Sequence, residues 1–395
     1  MKYFFILGNN PALSLAEILA VLKPKYYHLL ERDFLVMEVD IEIDAPKLIK
    51  RMGGVIKIGE IKDEIKESNF QKKSLESSFK IALLKSKSVG SGKFNFGISD
   101  YSRHFNIQKL GLKLKNEFKK RQISSRFVTS REENLTSVVV EQNKLIKKGI
   151  EIILVSFNGK VLVGETLAVQ PFKSLSYRDF GRPARDDKSG MLPPKLAQAM
   201  INLAELQDNE GLLLDPFCGS GTILTEAMLM DYCNLFGLDS SFKAIQDSRR
   251  NVDWIKEQYE VQNTKVKLVV KNVLDLSKFI KVNSVSVIVT EPYLGPQRGK
   301  IEFDLVIKEL EELYSKALTE CYKVLIPGAR MVMVWPVFYG NKFINPDISK
   351  FIKIELLPER MLKKEEIKKF ISPRGSIIYG RQGQKVFREI IVLEK

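Results

Sequence analysis

Few residues in this sequence can bind transition metals or form disulfides. The 395 residues include three cysteines and two histidines. Cys218, Cys233 and Cys321 form no C-x-x-C pair, and His28 and His104 lie near neither a second histidine nor a cysteine. We therefore expect no disulfide framework, no metal site and no histidine-based acid–base catalysis. Sparse, scattered cysteines also favour a reducing cytoplasm as the location.

Long apolar runs are missing as well. No run reaches the roughly 18 residues that a membrane-spanning helix needs, so we expect no membrane partner. The apolar residues 3–7 are too few for a signal peptide and no small-residue cleavage site follows them, so we interpret them as a first strand. A chain of this length favours two or three domains.

Positive charge is concentrated in one segment. Residues 80–148 contain 16 basic and 5 acidic residues, a net charge of +11 out of +15 for the chain. This footprint favours a polyanion partner, and the aromatics interleaved with the bases suit contacts with RNA. A lysine-rich solvated surface is the alternative, and Phe118 and Phe127 could equally belong to the core. The predicted RNA contacts are Lys93, Arg103, Arg126, Arg178 and Arg182.

Hydrophobic periodicity predicts an α/β fold. After residue 211, strands and helices alternate as in a doubly wound sheet, with an antiparallel edge at the end. The predicted strands of this part are 212–214, 234–239, 266–270, 285–293, 329–335, 353–357 and 386–393, with a long helix at 305–325. Earlier in the chain the predicted strands are 3–7, 34–39, 94–98, 125–128, 137–140 and a hairpin at 152–166, and the predicted helices are 13–22 (capped by Ser14), 45–52 and 107–121. Residues 60–78 are predicted to be a linker.

The most informative motif is D-P-F-C-G-S-G-T at residues 215–222, which joins a buried strand to a helix at 223–229. Its two glycines let the backbone turn sharply and approach a ligand. A carboxylate at the strand end disfavours a pyrophosphate but suits a cation with amino and ribose groups, which describes S-adenosylmethionine. The motif therefore predicts a methyltransferase. The candidate cofactor-binding residues are Asp215, Pro216, Phe217, Cys218, Gly219, Gly221, Thr222, Asp239 and Asp275.

The three aspartates are expected at strand ends, where ligands bind in such sheets. Asp215 would hold the amino group or organise the loop, Asp239 would accept from the ribose hydroxyls, and Asp275 from the adenine amine. Each aspartate taken alone could simply form a turn or cap a helix.

Glu291, Pro292 and Tyr293 follow the predicted fourth strand and are the candidate catalytic residues. The lone pair of an exocyclic base amine is delocalised into the ring. A carboxylate and a backbone carbonyl that accept its two N–H bonds can aim that lone pair at a methyl group. Tyr293 or Phe180 could stack on an extruded base. The alternative is a simple strand stop at the proline.

Residues 215–222, 291–295 and 178–204 resemble the THUMP-containing RNA methyltransferases, above all the tRNA guanosine-N2-methyltransferases of archaea and eukaryotes that act at position ten. The resemblance implies a ferredoxin-like unit at 1–60, a THUMP-like RNA-binding domain at 61–169, a linker at 170–194 and a Rossmann-like class I methyltransferase domain at 195–395. It also implies that S-adenosylmethionine is the cofactor and tRNA the partner.

One motif departs from that family. The usual fourth-strand motif is D-P-P-Y-G, whereas this chain has Glu291, Pro292, Tyr293 and Leu294 before Gly295. Glutamate reaches one methylene further than aspartate, so the target base and atom stay open. An rRNA or DNA amino-methyltransferase and a catalytically silent RNA-binding protein of the same fold are the alternatives.

Overall fold

The computed structural model describes residues 1–31, 33–88, 92–185, 191–206, 209–296, 302–381 and 383–395. Residues 186–190 of the predicted linker therefore lie outside the described residues. The chain divides into two compact units. Unit 1 comprises Met1–Asn9, Leu22–Lys50 and Val55–Phe172, and unit 2 comprises Asn10–Val21, Arg51–Gly54 and Lys173–Lys395.

Both units contain strands and helices. The strands are β1 (Lys2–Leu7), β2 (Tyr26–Leu29), β3 (Phe34–Glu38), β4 (Val55–Lys66), β5 (Phe94–Asp100), β6 (Ser125–Val128), β7 (Gly149–Phe157), β8 (Lys160–Val169), β9 (Leu212–Asp215), β10 (Asn234–Asp239), β11 (Lys265–Val270), β12 (Val287–Thr290), β13 (Arg330–Phe338), β14 (Lys342–Phe343), β15 (Ile352–Lys353), β16 (Ile377–Tyr379) and β17 (Val386–Glu394). The helices are α1 (Pro11–Leu22), α2 (Ala45–Arg51), α3 (Phe70–Ser88), α4 (Ile107–Lys120), α5 (Ser137–Gln142), α6 (Phe172–Phe180), α7 (Pro194–Leu203), α8 (Thr222–Leu229), α9 (Phe242–Tyr259), α10 (Phe303–Val324), α11 (Glu359–Leu362) and α12 (Glu365–Lys368). Within the described ranges, no helix combines the length and hydropathy that a bilayer crossing requires.

Unit 1 is built on an eight-stranded sheet of order β2-β3-β1-β4-β8-β7-β5-β6. Its strands pair antiparallel except at β7-β5 and β5-β6, which are parallel. The predicted hairpin turn is confirmed at Asn158 and Gly159, which join β7 to β8 with positive φ angles of 50° and 70°. β4 spans the predicted boundary between residues 60 and 61, so strands from both sides of that boundary share one sheet.

Unit 2 contains the predicted doubly wound sheet, in the order β11-β10-β9-β12-β13-β17-β15. The run from β11 to β13 is parallel, whereas β17 is antiparallel to both β13 and β15. The predicted antiparallel edge is thus confirmed. From β9 the chain first builds outward through β10 and β11 and then returns to the opposite side of β9 with β12. This return creates the switch point at which ligands bind in α/β sheets.

Three local predictions were wrong. Residues 137–140 form helix α5 rather than a strand, because the Thr136 side chain accepts from the Val139 N–H at 3.3 Å and caps the helix despite its three valines. Residues 60–78 are not a linker but the end of β4 and the start of α3. Helix α1 is capped by Asn10, which accepts from the Leu13 N–H at 3.0 Å, and not by Ser14.

A buried carboxylate anchors α1 within unit 2. Glu17 is fully buried and accepts from the N–H groups of Gly53 (2.8 Å) and Gly54 (2.7 Å) and from the side-chain amide of Asn202 on α7 (2.8 Å). Gly53 has to be glycine, since a Cβ there would lie 1.8 Å from the carbonyl oxygen of Lys195. Burial raises the pKa of Glu17 to about 7, although its hydrogen bonds oppose the shift.

We expect Glu17→Ala to destabilise unit 2 by about 3 kcal/mol, because it removes the acceptor of the Gly53 and Gly54 N–H groups and of the Asn202 amide. The raised pKa means that the native state binds more protons than the unfolded state between about pH 4 and pH 7. The stabilisation from Glu17 should therefore be largest near pH 4 and decline as pH rises through 7. Urea denaturation of both proteins at pH 5 and pH 8 measures this. The exposed Glu257→Ala on α9 is the control, and equal losses from both variants would contradict the prediction.

Candidate active site

A cleft of about 540 Å³ opens at the carboxyl ends of β9, β10 and β12. It lies at the switch point of the unit 2 sheet, and its volume is within the roughly 300–1,000 Å³ of small-molecule sites. Most of the predicted cofactor and catalytic residues are brought together here. Those that line the cleft are Asp215, Pro216, Phe217, Cys218, Gly219, Thr222, Asp239, Glu291, Pro292 and Tyr293.

The glycine turn shapes one wall of the cleft. Gly219 and Gly221 have φ angles of +50° and +83°, and the Gly221 N–H donates to the carbonyl of Cys218 at 2.7 Å. A Cβ at Gly221 would lie 2.4 Å from the Ser248 hydroxyl, whereas at Gly219 nothing lies within 4 Å of where a Cβ would be. Gly221 thus permits the turn and the close approach of α9, and Gly219 leaves open space for a ligand. Burial raises the pKa of the Cys218 thiol well above its usual range, which disfavours the nucleophilic thiolate.

Asp215 ends β9 and is 1% exposed. Its Oδ1 accepts from the Thr290 hydroxyl at 2.7 Å and from the Phe217 N–H at 3.2 Å. Burial raises its pKa to about 7, and the charges of Asp239 and Glu291 act in the same direction. A positively charged ligand in the cleft would stabilise the ionised form, so this end of the site favours a cation.

Asp239 ends β10 and uses both carboxylate oxygens to organise the cleft. Oδ2 accepts from the Gly219 N–H at 3.0 Å, and Oδ1 accepts from the Ser241 N–H at 2.8 Å. The carboxylate therefore links the glycine turn to the start of α9. Each oxygen retains acceptor capacity, since an ionised carboxylate offers about four lone-pair sites.

Asp275 is not where the sequence predicted it. β11 ends at Val270, and Asp275 lies further on, in a 3₁₀ turn, with its carboxylate paired to Lys278 at 2.6 Å and about half exposed. It does not line the cleft. Asn272 and Val273, which are nearer to the strand end, occupy that position instead.

Glu291 follows β12 directly and is held by two elements that are distant in sequence. Its Oε1 accepts from Arg388 Nε at 2.6 Å and its Oε2 from Arg388 Nη2 at 3.2 Å. The loop after Glu291 is fixed by Tyr314 on α10, whose hydroxyl donates to the Tyr293 carbonyl at 2.8 Å. The catalytic candidates thus sit on a braced loop rather than on a simple strand stop.

The two aromatic candidates differ in placement. The Tyr293 side chain lines the cleft and is 59% exposed, so it offers a ring face at the entrance. Phe180 is 64% exposed but does not line the cleft, and the guanidinium of Arg185 lies 5.5 Å from its ring centre. Tyr293 is therefore the better placed of the two for stacking on a base.

Arg178 and Arg182, predicted as RNA contacts, are both 6% exposed and serve within unit 2. Arg178 forms a bidentate pair with Glu226 on α8, at 2.7 and 2.9 Å. Arg182 donates to the hydroxyl of Thr222 at 2.6 Å. Because their donors are used inside the unit, we correct the prediction: these two arginines support the helix that follows the glycine turn.

In unit 1 the basic and aromatic residues separate. Lys93, Arg103 and Arg126 are exposed, with Arg103 paired to Glu133 at 2.9 Å. The aromatics predicted to accompany them mostly face inward and belong to the core or pack against it, which corrects the idea that they interleave with bases on the surface. These inward-facing rings are Phe94, Phe96, Tyr101, Phe105, Phe118 and Phe127. Helix α4 instead presents a basic face of exposed lysines, namely Lys109, Lys113, Lys115, Lys119 and Lys120.

Several site residues were missed by sequence reasoning. Asn272 carried a usable signal, because it is polar and two residues past the end of β11. Thr290, the partner of Asp215, was also visible at the end of β12. Arg388 and Tyr314 carried none, since they approach Glu291 and its loop from β17 and α10.

Comparison with known proteins supports the catalytic unit. Residues 182–337 match the family model described as "RMKL-like, methyltransferase domain". Among solved structures, TrmN from Thermus thermophilus has the same overall fold, with a TM-score of 0.51 and 15% identity over 100% of both chains. Residues 182–337 therefore resemble a methyltransferase domain, and the parallel part of the unit 2 sheet has a Rossmann-like arrangement.

Two curated relatives come from the archaeon Methanocaldococcus jannaschii. A protein named tRNA (guanine(10)-N2)-dimethyltransferase is 32% identical over 128 residues, which cover 31% of this chain and 35% of that protein. A second, named tRNA (guanine(6)-N2)-methyltransferase, is 26% identical over 189 residues, covering 40% of this chain and 46% of that protein. The chain therefore spans less than half the length of these relatives.

The cofactor of this domain is S-adenosylmethionine, and the cleft fits it. The donor set consists of buried or half-buried carboxylates beside a glycine turn with open space, which suits a cation that carries amino and ribose groups. Asp215 would receive the amino group, Asp239 the ribose hydroxyls, and Asn272 with Val273 the adenine end. Asp215 and Asp239 thus line the cleft, whereas Asn272 and Val273 lie where Asp275 was expected.

Proposed function

We propose that this protein methylates the exocyclic N2 of a guanosine in tRNA, with position ten as the first candidate, and that it does so in the cytoplasm. The observation that carries the proposal is the braced loop at Glu291 and Pro292, which borders the cofactor cleft. The names of both archaeal relatives support guanine N2 as the target. In this proposal unit 1 contains the ferredoxin-like part, predicted at residues 1–60, and the THUMP-like RNA-binding part, predicted at residues 61–169, and β4 joins the two in one sheet.

When bound, S-adenosylmethionine supplies an electrophilic methyl group on a sulfonium. The chain itself has to make the target amine nucleophilic. Glu291 and the Pro292 carbonyl would each accept one N–H bond of the amine, which draws its lone pair out of conjugation and aims it. Tyr293, exposed at the entrance, would stack on the base once it has left its helix. Glu291 or water then takes the proton that the methylated amine must lose.

Unit 1 would bind the tRNA body through electrostatic contacts. The exposed lysines of α4 lie along one helix, a spacing that suits successive backbone phosphates. Lys93 and Arg126 would add to this surface, as the sequence predicted. The roles of these residues are part of the proposal.

We expect the triple variant Lys113→Ala, Lys115→Ala, Lys119→Ala to weaken tRNA binding by about 10²-fold at low salt. The slope of log affinity against log salt concentration should also become shallower, by about one for each phosphate that the protein no longer neutralises. Filter binding between 50 and 200 mM salt measures both quantities. The control removes three exposed lysines of unit 2, Lys350, Lys363 and Lys368. Equal losses of affinity in both variants would point to net charge alone and contradict a local surface.

The test of the function is incubation of the purified protein with unmodified tRNA and methyl-labelled S-adenosylmethionine, followed by nucleoside mass spectrometry. Label in N2-methylguanosine or N2,N2-dimethylguanosine supports the proposal, and a tRNA with adenosine at position ten locates the target. Label in another nucleoside, or in rRNA or DNA only, overturns the guanine assignment. Cofactor binding with no label in any nucleic acid favours a silent RNA-binding protein.

A further inference from the structure

We propose that Arg388 is a positioning residue for methyl transfer, which holds the Glu291 carboxylate in the orientation that the target amine requires. The inference rests on the proposed function and deepens it. It concerns a residue 97 positions away from Glu291 in the sequence, on the antiparallel edge of the sheet rather than on a parallel strand.

The geometry of the pair is specific. Both nitrogens that contact Glu291 belong to one planar guanidinium, so each carboxylate oxygen has its own donor. The two side chains are only 11% and 12% exposed. A bidentate fork fixes the plane as well as the position of a carboxylate, which a single lysine ammonium cannot do. Glutamate has one more rotatable bond than aspartate, and the fork removes that extra freedom.

Arg388 is itself held firmly by the sheet. It lies opposite Pro336 of β13 and Tyr379 of β16, so its strand is paired on both sides. Its Nη2 also lies 3.5 Å from the carbonyl of Met191, a residue that lines the cleft. The guanidinium is therefore held at the cleft by a rigid strand, β17, which is what precise positioning requires.

The charges of the site support the same role. Asp215, Asp239 and Glu291 all border the cleft, and three carboxylates at close range repel one another. Burial lowers the pKa of Arg388, but the charge and the hydrogen bonds of Glu291, together with the charge of Tyr379, outweigh burial and raise it. The pair is thus a salt bridge of zero net charge, and Glu291 can accept hydrogen bonds without adding a full negative charge to the cleft.

The fork leaves capacity for the substrate. Each carboxylate oxygen has two lone pairs, and the guanidinium occupies one on each. A remaining lone pair of Glu291 can therefore accept an amine N–H while Arg388 stays bound. This arrangement explains how a glutamate can serve in a loop where the resembling family has an aspartate.

The same strand offers a matched control. Glu389, next to Arg388 but pointing to the other face of the sheet, forms a comparable bidentate pair with Arg374, whose Nε lies 2.8 Å from Oε1. Arg374 also stacks on Trp335, with its guanidinium 5.0 Å from the ring centre. Neither Arg374 nor Glu389 lines the cleft. Replacing Arg374 therefore shows how the loss of a buried salt bridge affects stability, apart from any positioning of Glu291.

The experiment compares Arg388→Ala, Arg388→Lys and Arg374→Ala in the full chain, each with and without added guanidinium chloride at non-denaturing concentration. Methyl transfer to tRNA, S-adenosylmethionine binding and melting temperature are measured for each. We expect kcat to fall about 10²-fold in Arg388→Ala and at least about tenfold in Arg388→Lys, because the amine is misaligned, while cofactor affinity stays within about threefold. Guanidinium should restore part of kcat in Arg388→Ala alone.

Each outcome is decisive. Wild-type kcat in Arg388→Lys, or rescue by guanidinium that is equal in Arg374→Ala, overturns the positioning role. If Arg388→Ala fails to fold, the kcat of Arg388→Lys at unchanged melting temperature decides alone. A wild-type protein that labels no nucleic acid contradicts the proposed function instead. Failure of the positioning role and failure of the proposed function are therefore distinguishable.

Discussion

Replacing Glu291 by alanine is expected to lower methyl transfer by at least about 10³-fold while S-adenosylmethionine binds within about threefold of the wild-type affinity. The reason is that the carboxylate would accept from the target amine in the transition state, whereas Asp215 and Asp239 are proposed to bind the cofactor. Single-turnover transfer to tRNA measures the chemical step, and calorimetry measures cofactor binding.

The matched variants of Glu291 sharpen this expectation. Glu291→Gln keeps one acceptor oxygen but turns an amide N–H₂ toward either Arg388 or the substrate, so we expect it to be nearly as slow as alanine. Glu291→Asp shortens the side chain and loses the fork with Arg388, and should retain intermediate activity. Full activity in Glu291→Ala would remove this residue from the mechanism.

Asp239→Ala is expected to weaken S-adenosylmethionine binding by about 10²-fold or more. The substitution removes the acceptor proposed for two ribose hydroxyls, and hydrogen bonds to a charged group are worth about 1.5–3 kcal/mol each. It also leaves the N–H groups of Gly219 and Ser241 without their present acceptor, which loosens the glycine turn. Equilibrium binding of the cofactor measures the loss.

Asp275→Ala is the control for that experiment. The sequence placed Asp275 beside the cofactor, whereas the structure pairs it with Lys278 away from the cleft. We therefore expect Asp275→Ala to bind S-adenosylmethionine like the wild type. Loss of affinity in Asp275→Ala, or none in Asp239→Ala, would reverse the assignment of the two carboxylates.

The contrast between these two aspartates shows what could be predicted from sequence. Asp215, Asp239 and Glu291 end or directly follow buried strands, and the apolar runs mark those strands clearly. Parallel strands end at one edge of the sheet, so residues that directly follow such strands lie close to one another in space. Asp275 lies five residues beyond the end of β11, and after so many residues of turn the direction of a side chain is no longer set by the strand.

Pairing across long sequence separations could not be predicted. Arg178 and Arg182 were predicted to be exposed because they lie in a polar, aperiodic segment. Both are buried, because they form hydrogen bonds with Glu226 and Thr222 on α8. Arg388 lies next to Glu389 in β17, and two neighbouring charged residues normally indicate a solvent-facing position. Only the fold brings such residues to their partners.

The route of the chain between the two units has a consequence for biosynthesis. Residues 10–21 and 51–54 belong to unit 2, but the segments around them belong to unit 1. Helix α1 therefore leaves the ribosome long before Asn202, the partner of its Glu17, has been made. At about 5–20 residues per second the delay is roughly 10–40 s. During translation α1 has to wait for its contact with α7, and no single cut in the chain can release the methyltransferase unit with all of its parts.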